Sequence, residues 1–211
     1  MRTVPTLQDL PDTPFGSYAD QVGLRAQERP DHPAVVVDDA VMSYAELWAL
    51  AQRVAAGLQR DGLAPGDVAM LCTPSSAAYM GCYLGCLLAG VVVAPVSPSL
   101  RDNTLATLVK DSGAKRVFTD SDIAQRLAAQ PEAAAVPRIV LEGPDEDFAA
   151  WLPAPGTPVQ AFTPAPEDGF NLIYSSGTTG VPKGIMQPHS MRWAHLQRAI
   201  NSGYGPDAVT L

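Results

Sequence analysis

Apolar positions along this chain alternate between short β-branched runs and longer stretches with apolar residues three and four apart. Residues 17–28 carry the helical spacing, with Ser17 placed as an N-cap and Pro30 as a stop. Residues 34–37 and 41–44 read as two short strands around an Asp38-Asp39 turn, a small hairpin. A helix over residues 45–60 follows, with Leu47, Leu50, Val54 and Leu58 on one face. The rhythm then repeats: strand 68–72, helix 75–89, strand 91–96, helix 102–111, strand 116–119, helix 121–129, strand 138–141. Such alternation predicts an α/β fold with mostly parallel sheets, helices on both faces and right-handed crossovers.

The pattern breaks over residues 142–168, which are acidic and carry Pro153, Pro155, Pro158, Pro164 and Pro166. This is a long surface connection, with one helical turn expected around residues 148–152. A strand end over residues 171–174, a strand over 185–187, a helix over 190–200 and the start of another strand over 207–211 complete the chain. Three regions are therefore expected: residues 1–142 as a first α/β sheet region, 143–168 as the connection, and 169–211 as the start of a second sheet region. The last residues, Val209-Thr210-Leu211, stand in an apolar run with no polar tail, so the chain is expected to be the front portion of something longer.

The 211 residues suffice for a sizeable core. From Val68 to Leu100 no residue is charged, a length that invites a membrane reading. Turn formers at Pro65-Gly66, Pro74, Gly90, Pro95 and Pro98 cut it into strand, helix and strand covered on both faces, and no membrane span is expected. The net charge of -8 argues against a nucleic-acid partner. Cys82 and Cys86 share a helix face, but no histidine or third cysteine lies near them, so buried free thiols are expected and no metal site. Residues 1–14 hold no apolar signal segment, which with the sparse cysteines points to a reducing, cytoplasmic setting.

Chemistry concentrates in residues 171–184, N-L-I-Y-S-S-G-T-T-G-V-P-K-G. Six small residues run unbroken there: Ser175, Ser176, Gly177, Thr178, Thr179 and Gly180, closed by Pro182, Lys183 and Gly184. A loop of this kind exposes backbone N–H groups and hydroxyls and lets a bulky anion approach the backbone. Lys183, one of only three lysines, adds a fixed positive charge. A flexible linker would not sit between two apolar strands. A Walker-type loop needs its lysine followed by Ser or Thr, whereas Gly-Ile-Met follows Lys183. What remains is a phosphate cradle.

The run Y-S-S-G-T-T-G-V-P-K-G resembles the signature loop of the AMP-forming adenylating superfamily of acyl-CoA synthetases, peptide-synthetase adenylation domains and luciferases. Met42-Ser43-Tyr44-Ala45-Glu46-Leu47 is similar to its early T-Y-x-E-L motif, and the stretch from Gly62 to Val68 to its G-D-x-V turn. The stretch from Leu88 to Pro95 is similar to L-K-A-G-x-x-x-x-P, with Leu88 where lysine is common. The resemblance implies the truncated N-terminal part of the large domain of an adenylate-forming enzyme. It also implies Mg-ATP, a carboxylic acid substrate and CoA as thiol acceptor, a CoA ligase being preferred over a peptide-synthetase domain. Ser175, Ser176, Gly177, Thr178, Thr179, Gly180 and Lys183 would hold the β- and γ-phosphates. The magnesium ligand, the ribose aspartate, the hinge and the catalytic lysine of the family have no counterpart here, so no catalytic residue is assigned. His189 and His195 read as structural, His189 ordering a helix start. The isolated chain is expected to be inactive and to self-associate. The competing expectation is a short, non-catalytic nucleotide-binding or regulatory subunit.

Overall fold

The structure, a computed structural model, describes residues 4–175, 182–205 and 208. Helix α1 (Tyr18–Glu28) starts where Ser17 Oγ accepts the Asp20 N–H, at 3.2 Å. Strands β1 (Pro33–Val37) and β2 (Ala40–Ser43) form the expected antiparallel hairpin, with Asp38 at φ 51 in its turn. Helix α2 (Tyr44–Arg60) opens in a capping box: Ser43 Oγ accepts from the Glu46 N–H and Glu46 Oε2 accepts from the Ser43 N–H. That reciprocal cap satisfies two otherwise orphaned donors and draws Tyr44, expected at a strand end, into the helix.

The remaining elements are β3 (Val68–Cys72), α3 (Ala77–Ala89), β4 (Val92–Pro95), α4 (Asp102–Ser112), β5 (Arg116–Asp120), α5 (Ser121–Ala128), β6 (Arg138–Glu142), α6 (Phe148–Trp151), β7 (Gly169–Ser175), β8 (Lys183–Pro188) and α7 (His189–Asn201). Helix α3 begins two residues later than its apolar spacing predicts, because Ser76 Oγ takes the Tyr79 N–H as cap. It ends at Gly90, whose φ of 75 lies in the left-handed region that favours glycine. The strand expected over 207–211 lies outside the described residues, apart from Ala208.

Among the described residues six strands form one sheet in the order β6-β5-β3-β4-β7-β8. Every neighbouring pair is parallel except β7 and β8, which are antiparallel. Residues 169–188 thus bring an antiparallel hairpin to the side of the parallel strands. Alternation along β3 separates two cores: Ala69 and Leu71 face α2 and α3, while Val68, Met70 and Cys72 face α4 and α5. Strand β3 is buried along its whole length, which is the physical reason for the charge-free sequence around it. Among the described residues no helix is long and apolar enough to cross a membrane.

The proline-rich connection is strapped to α2 and its C-terminal end rather than looped free. Gln59 and Gln160 exchange hydrogen bonds, both 2.9 Å, and Arg53 Nε donates to the Pro153 carbonyl at 2.7 Å. Asp61 is the centre of the strap, accepting from Trp151 Nε1 at 2.8 Å, from Arg116 at 2.6 Å and from Arg60 at 3.0 Å. Burial pushes the Asp61 carboxyl up, but the Trp151 and Arg60 hydrogen bonds and the Arg116 and Arg60 charges outweigh it and hold its pKa below the ordinary value. A depressed carboxylate contributes stability above its unfolded pKa of about 4, lost as pH falls through the folded value. Asp61→Asn is therefore expected to cost about 1–3 kcal/mol near neutral pH. In urea titrations the gap from the unsubstituted protein should shrink toward pH 3; a constant gap would refute the ionic part.

Candidate functional site

The seven positions named for phosphate binding divide between described and undescribed residues. Ser175 ends β7 and Lys183 begins β8, and the two are register partners across the hairpin. Both are exposed. Ser176, Gly177, Thr178, Thr179 and Gly180 lie outside the described residues. Lys183, which the sequence places inside the loop, is instead the first residue of a paired strand, because pairing with β7 extends β8 two residues beyond the expected start at 185. Its ammonium group is therefore carried by a strand end, on a backbone fixed by cross-strand pairing.

Strand β7 runs parallel to β4, so the connection after Ser175 leaves from the carboxyl end of the parallel strands. Ligand sites in open α/β sheets lie at that end, where backbone dipoles and loops converge. The opposite end of the hairpin is anchored in an aromatic cluster. The Phe170 ring meets His189 edge-on at 5.1 Å and lies 5.9 and 6.0 Å from Tyr18 and Tyr83. Asn171 is buried, and its Nδ2 donates to the Tyr83 hydroxyl at 3.1 Å. A break in the β7–β8 register between Gly169 and Asn171 turns both Phe170 and Asn171 toward α3, while Leu172 packs on the opposite face. Nothing in the local sequence signals this irregularity, and Tyr83 and Asn171 escape sequence reasoning for that reason.

His189 is buried at the first position of α7; its N–H donates to the Asp168 carbonyl and that of Ser190 to the Pro166 carbonyl, both at 2.9 Å. Burial pulls the imidazole pKa down, with the Asp168 charge opposing. A neutral ring packed on Phe170 fits the ordering of a helix start. His195 lines an open groove of about 460 Å³ with Tyr18, Tyr79, Tyr83, Phe170 and Arg192. Its pKa is lowered by burial and by the neighbouring Arg198 and Arg192 charges. All three cysteines are buried and free; burial pushes the Cys72 thiol up to about 12, with the Asp120 charge adding, and raises Cys82 and Cys86 as well. These thiols are packing groups.

Comparison with known proteins matches residues 24–210 to the family described as AMP-binding enzyme. A fatty acid–acyl-carrier-protein ligase of Streptomyces coeruleorubidus is 31% identical over 200 residues, 94% of this chain and 36% of that protein. A dimodular nonribosomal peptide synthase of Bacillus subtilis (strain 168) is 33% identical over 180 residues, 83% of this chain and 7% of that protein. For 4-coumarate–CoA ligase of Pinus taeda the identity is 28% over 191 residues, 88% and 35% of the two chains. Among solved structures, the N-terminal domain of FACL13 from Mycobacterium tuberculosis superposes with a TM-score of 0.73 at 28% identity, covering 83% of this chain and 45% of that one. A fatty acyl-adenylate ligase from Legionella pneumophila, in complex with acyl adenylate and pyrophosphate, gives 0.70 at 27% identity over 88% and 32% of the chains. The chain thus spans about a third of the length of the two stand-alone ligases and a small part of the peptide synthase.

Proposed function

The chain belongs to the AMP-binding enzyme family of adenylate-forming ligases, and from that premise we propose that it is the N-terminal part of a carboxylate–CoA ligase. The observation that supports the reading is the β7–β8 hairpin, which holds Ser175 and Lys183 opposite each other at the carboxyl end of the parallel strands. The Ser/Thr/Gly run stands between them.

In the proposed reaction a substrate carboxylate oxygen attacks the α-phosphorus of ATP. The bond from that phosphorus to the oxygen bridging to the β-phosphate breaks, and pyrophosphate leaves with the electron pair. A thiolate then attacks the acyl carbonyl and AMP leaves. Lys183 offsets the charge gathering on the departing pyrophosphate, Ser175, Ser176, Thr178 and Thr179 supply hydroxyls, and Gly177 and Gly180 let the phosphates approach the backbone. Among the described residues no cluster of three His, Cys, Asp or Glu could hold a metal ion. Magnesium would accompany the ATP phosphates, whose charge it would share with Lys183.

Two further parts of the reading stand as proposals. One divides this chain into residues 1–142, 143–168 and 169–211, with the phosphate loop in the last region, whose strands β7 and β8 extend the sheet of the first. The other places the protein in a reducing, cytoplasmic setting, which its three buried free thiols support. The competing reading, transfer to a carrier protein rather than CoA, is favoured by the carrier-protein ligase and peptide synthase relatives. The test is ATP–pyrophosphate exchange by the complete protein with a panel of carboxylic acids, followed by thioester assays with CoA and with a phosphopantetheinylated carrier. Exchange with acids followed by CoA thioester is the expected result. Exchange with a carrier thioester alone would select the competing reading, and no exchange with any acid would select the non-catalytic subunit.

The 211-residue chain alone is expected to show no exchange and to self-associate. Among the described residues strand β8 is a sheet edge, with Ile185 and Met186, neighbours pointing to opposite faces, each 50% exposed. Light scattering should show species above 22.2 kDa; a stable monomer at that mass would refute the expectation.

A further inference from the structure

We propose that Tyr174, with Asp111 as its acceptor, is a positioning residue for the phosphate-gripping hairpin, setting where Ser175 and Lys183 stand. The inference rests on the adenylation reading and deepens it.

The loop end of the hairpin runs past its pairing with the parallel neighbour. Strand β7 shares a single register pair with β4, Val93 with Asn171, at the end far from the loop. The segment from Ile173 to Ser175, and the strand paired with it, project past that tie. An arm held only at its base would let the loop mouth swing, and a charge meant to meet a transition state must be held in place beforehand.

Tyr174 supplies a second tie in two directions. Its register partner on β8 is Gly184, the residue after Lys183. A Cβ placed on Gly184 would stand 3.3 and 3.4 Å from Cε1 and Cζ of the Tyr174 ring and 3.1 Å from Leu172 Cδ1. The phenol ring therefore lies across the bare glycine backbone and couples the two strands one residue from the mouth. Beyond the hairpin, the Tyr174 hydroxyl donates to Asp111 Oδ2 at 2.7 Å, in the last turn of α4. That helix is itself fixed by Leu105, Leu108 and Val109, all buried in the core against which Leu172 and Tyr174 pack. Burial, the bond to Asp111 and the Asp111 charge raise the phenol pKa, so the hydroxyl keeps its proton and remains a donor at working pH.

The experiment uses the protein expressed from its complete coding sequence. Tyr174→Phe keeps the ring over Gly184 and removes only the donor, while Asp111→Ala removes only the acceptor. Each is expected to raise KM for ATP in pyrophosphate exchange about three- to tenfold, the double variant being no worse than either single one. Asp111→Asn, which still offers an acceptor oxygen, should stay within about twofold of the unsubstituted protein. Tryptic cleavage after Lys183, followed as the fragment beginning at Gly184, should accelerate in Tyr174→Phe and Asp111→Ala and not in Asp111→Asn. Additive losses in the double variant, or unchanged KM and cleavage in both single variants, would overturn the positioning role alone. An unsubstituted protein that exchanges no pyrophosphate would overturn the adenylation reading itself.

Discussion

Lys183→Ala in the complete enzyme is expected to slow adenylate formation by about 10²–10³-fold, the usual cost of removing one preorganised group from a developing charge. The side chain is exposed at a strand end, so its removal opens no cavity, and stability should hold within about 0.5 kcal/mol. Most of the loss should appear in kcat for ATP–pyrophosphate exchange, because negative charge on the leaving pyrophosphate grows as the bond breaks. Lys183→Arg keeps the charge but spreads it over a planar fork, and should recover only part of the rate. Thr178→Ala, outside the described residues, should shift the rate in the same direction. Exchange at the unsubstituted rate in Lys183→Ala would remove the lysine from the mechanism.

A large loss of stability is expected from Gly85→Ala. Helices α2 and α3 approach closely because α3 presents Gly81 and Gly85, one turn apart, to Leu50, Ala51 and Val54. A Cβ on Gly85 would stand 2.5 Å from Val54 Cβ and Cγ1 and 2.8 Å from the Ala51 carbonyl oxygen. Backbone cannot rotate away as a side-chain tip can, so the helices must separate and loosen the core beneath them. Alanine gains about 1 kcal/mol of helix propensity over glycine. Overpacking costs about 1–3 kcal/mol or more, and the rigid carbonyl places this site at the top of that range. A net loss of about 2 kcal/mol is expected in urea denaturation. Gly81→Ala should cost less, since its nearest neighbours at 2.3 and 2.6 Å are Cδ2 and Cγ of the partly exposed Leu50 side chain. Equal stability of Gly85→Ala and the unsubstituted protein would mean that the two helices are not locked at this contact.

The candidate phosphate loop was legible as a motif in the chain itself. The Ser/Thr/Gly run with its lysine stands out because few other needs call for six small residues between two apolar strands. The register that sets Lys183 opposite Ser175 was not legible, since it is decided by how far pairing with β7 extends β8. Asp111 gave no signal either, because it lies 63 residues from the tyrosine it holds.

Local patterns determined the order of strands and helices, the Ser17 cap, the Gly90 stop and the composition of the candidate phosphate loop. Each depends on residues a few positions apart, where backbone sterics and helix or strand periodicity act directly. Tertiary structure decided what depends on distant partners. It turned β7 and β8 antiparallel, strapped residues 143–168 to the end of α2 through Asp61 and Trp151, and made Gly81 and Gly85 the contact of two helices. Those outcomes rest on long-range packing and hydrogen bonding, which no short window of sequence records.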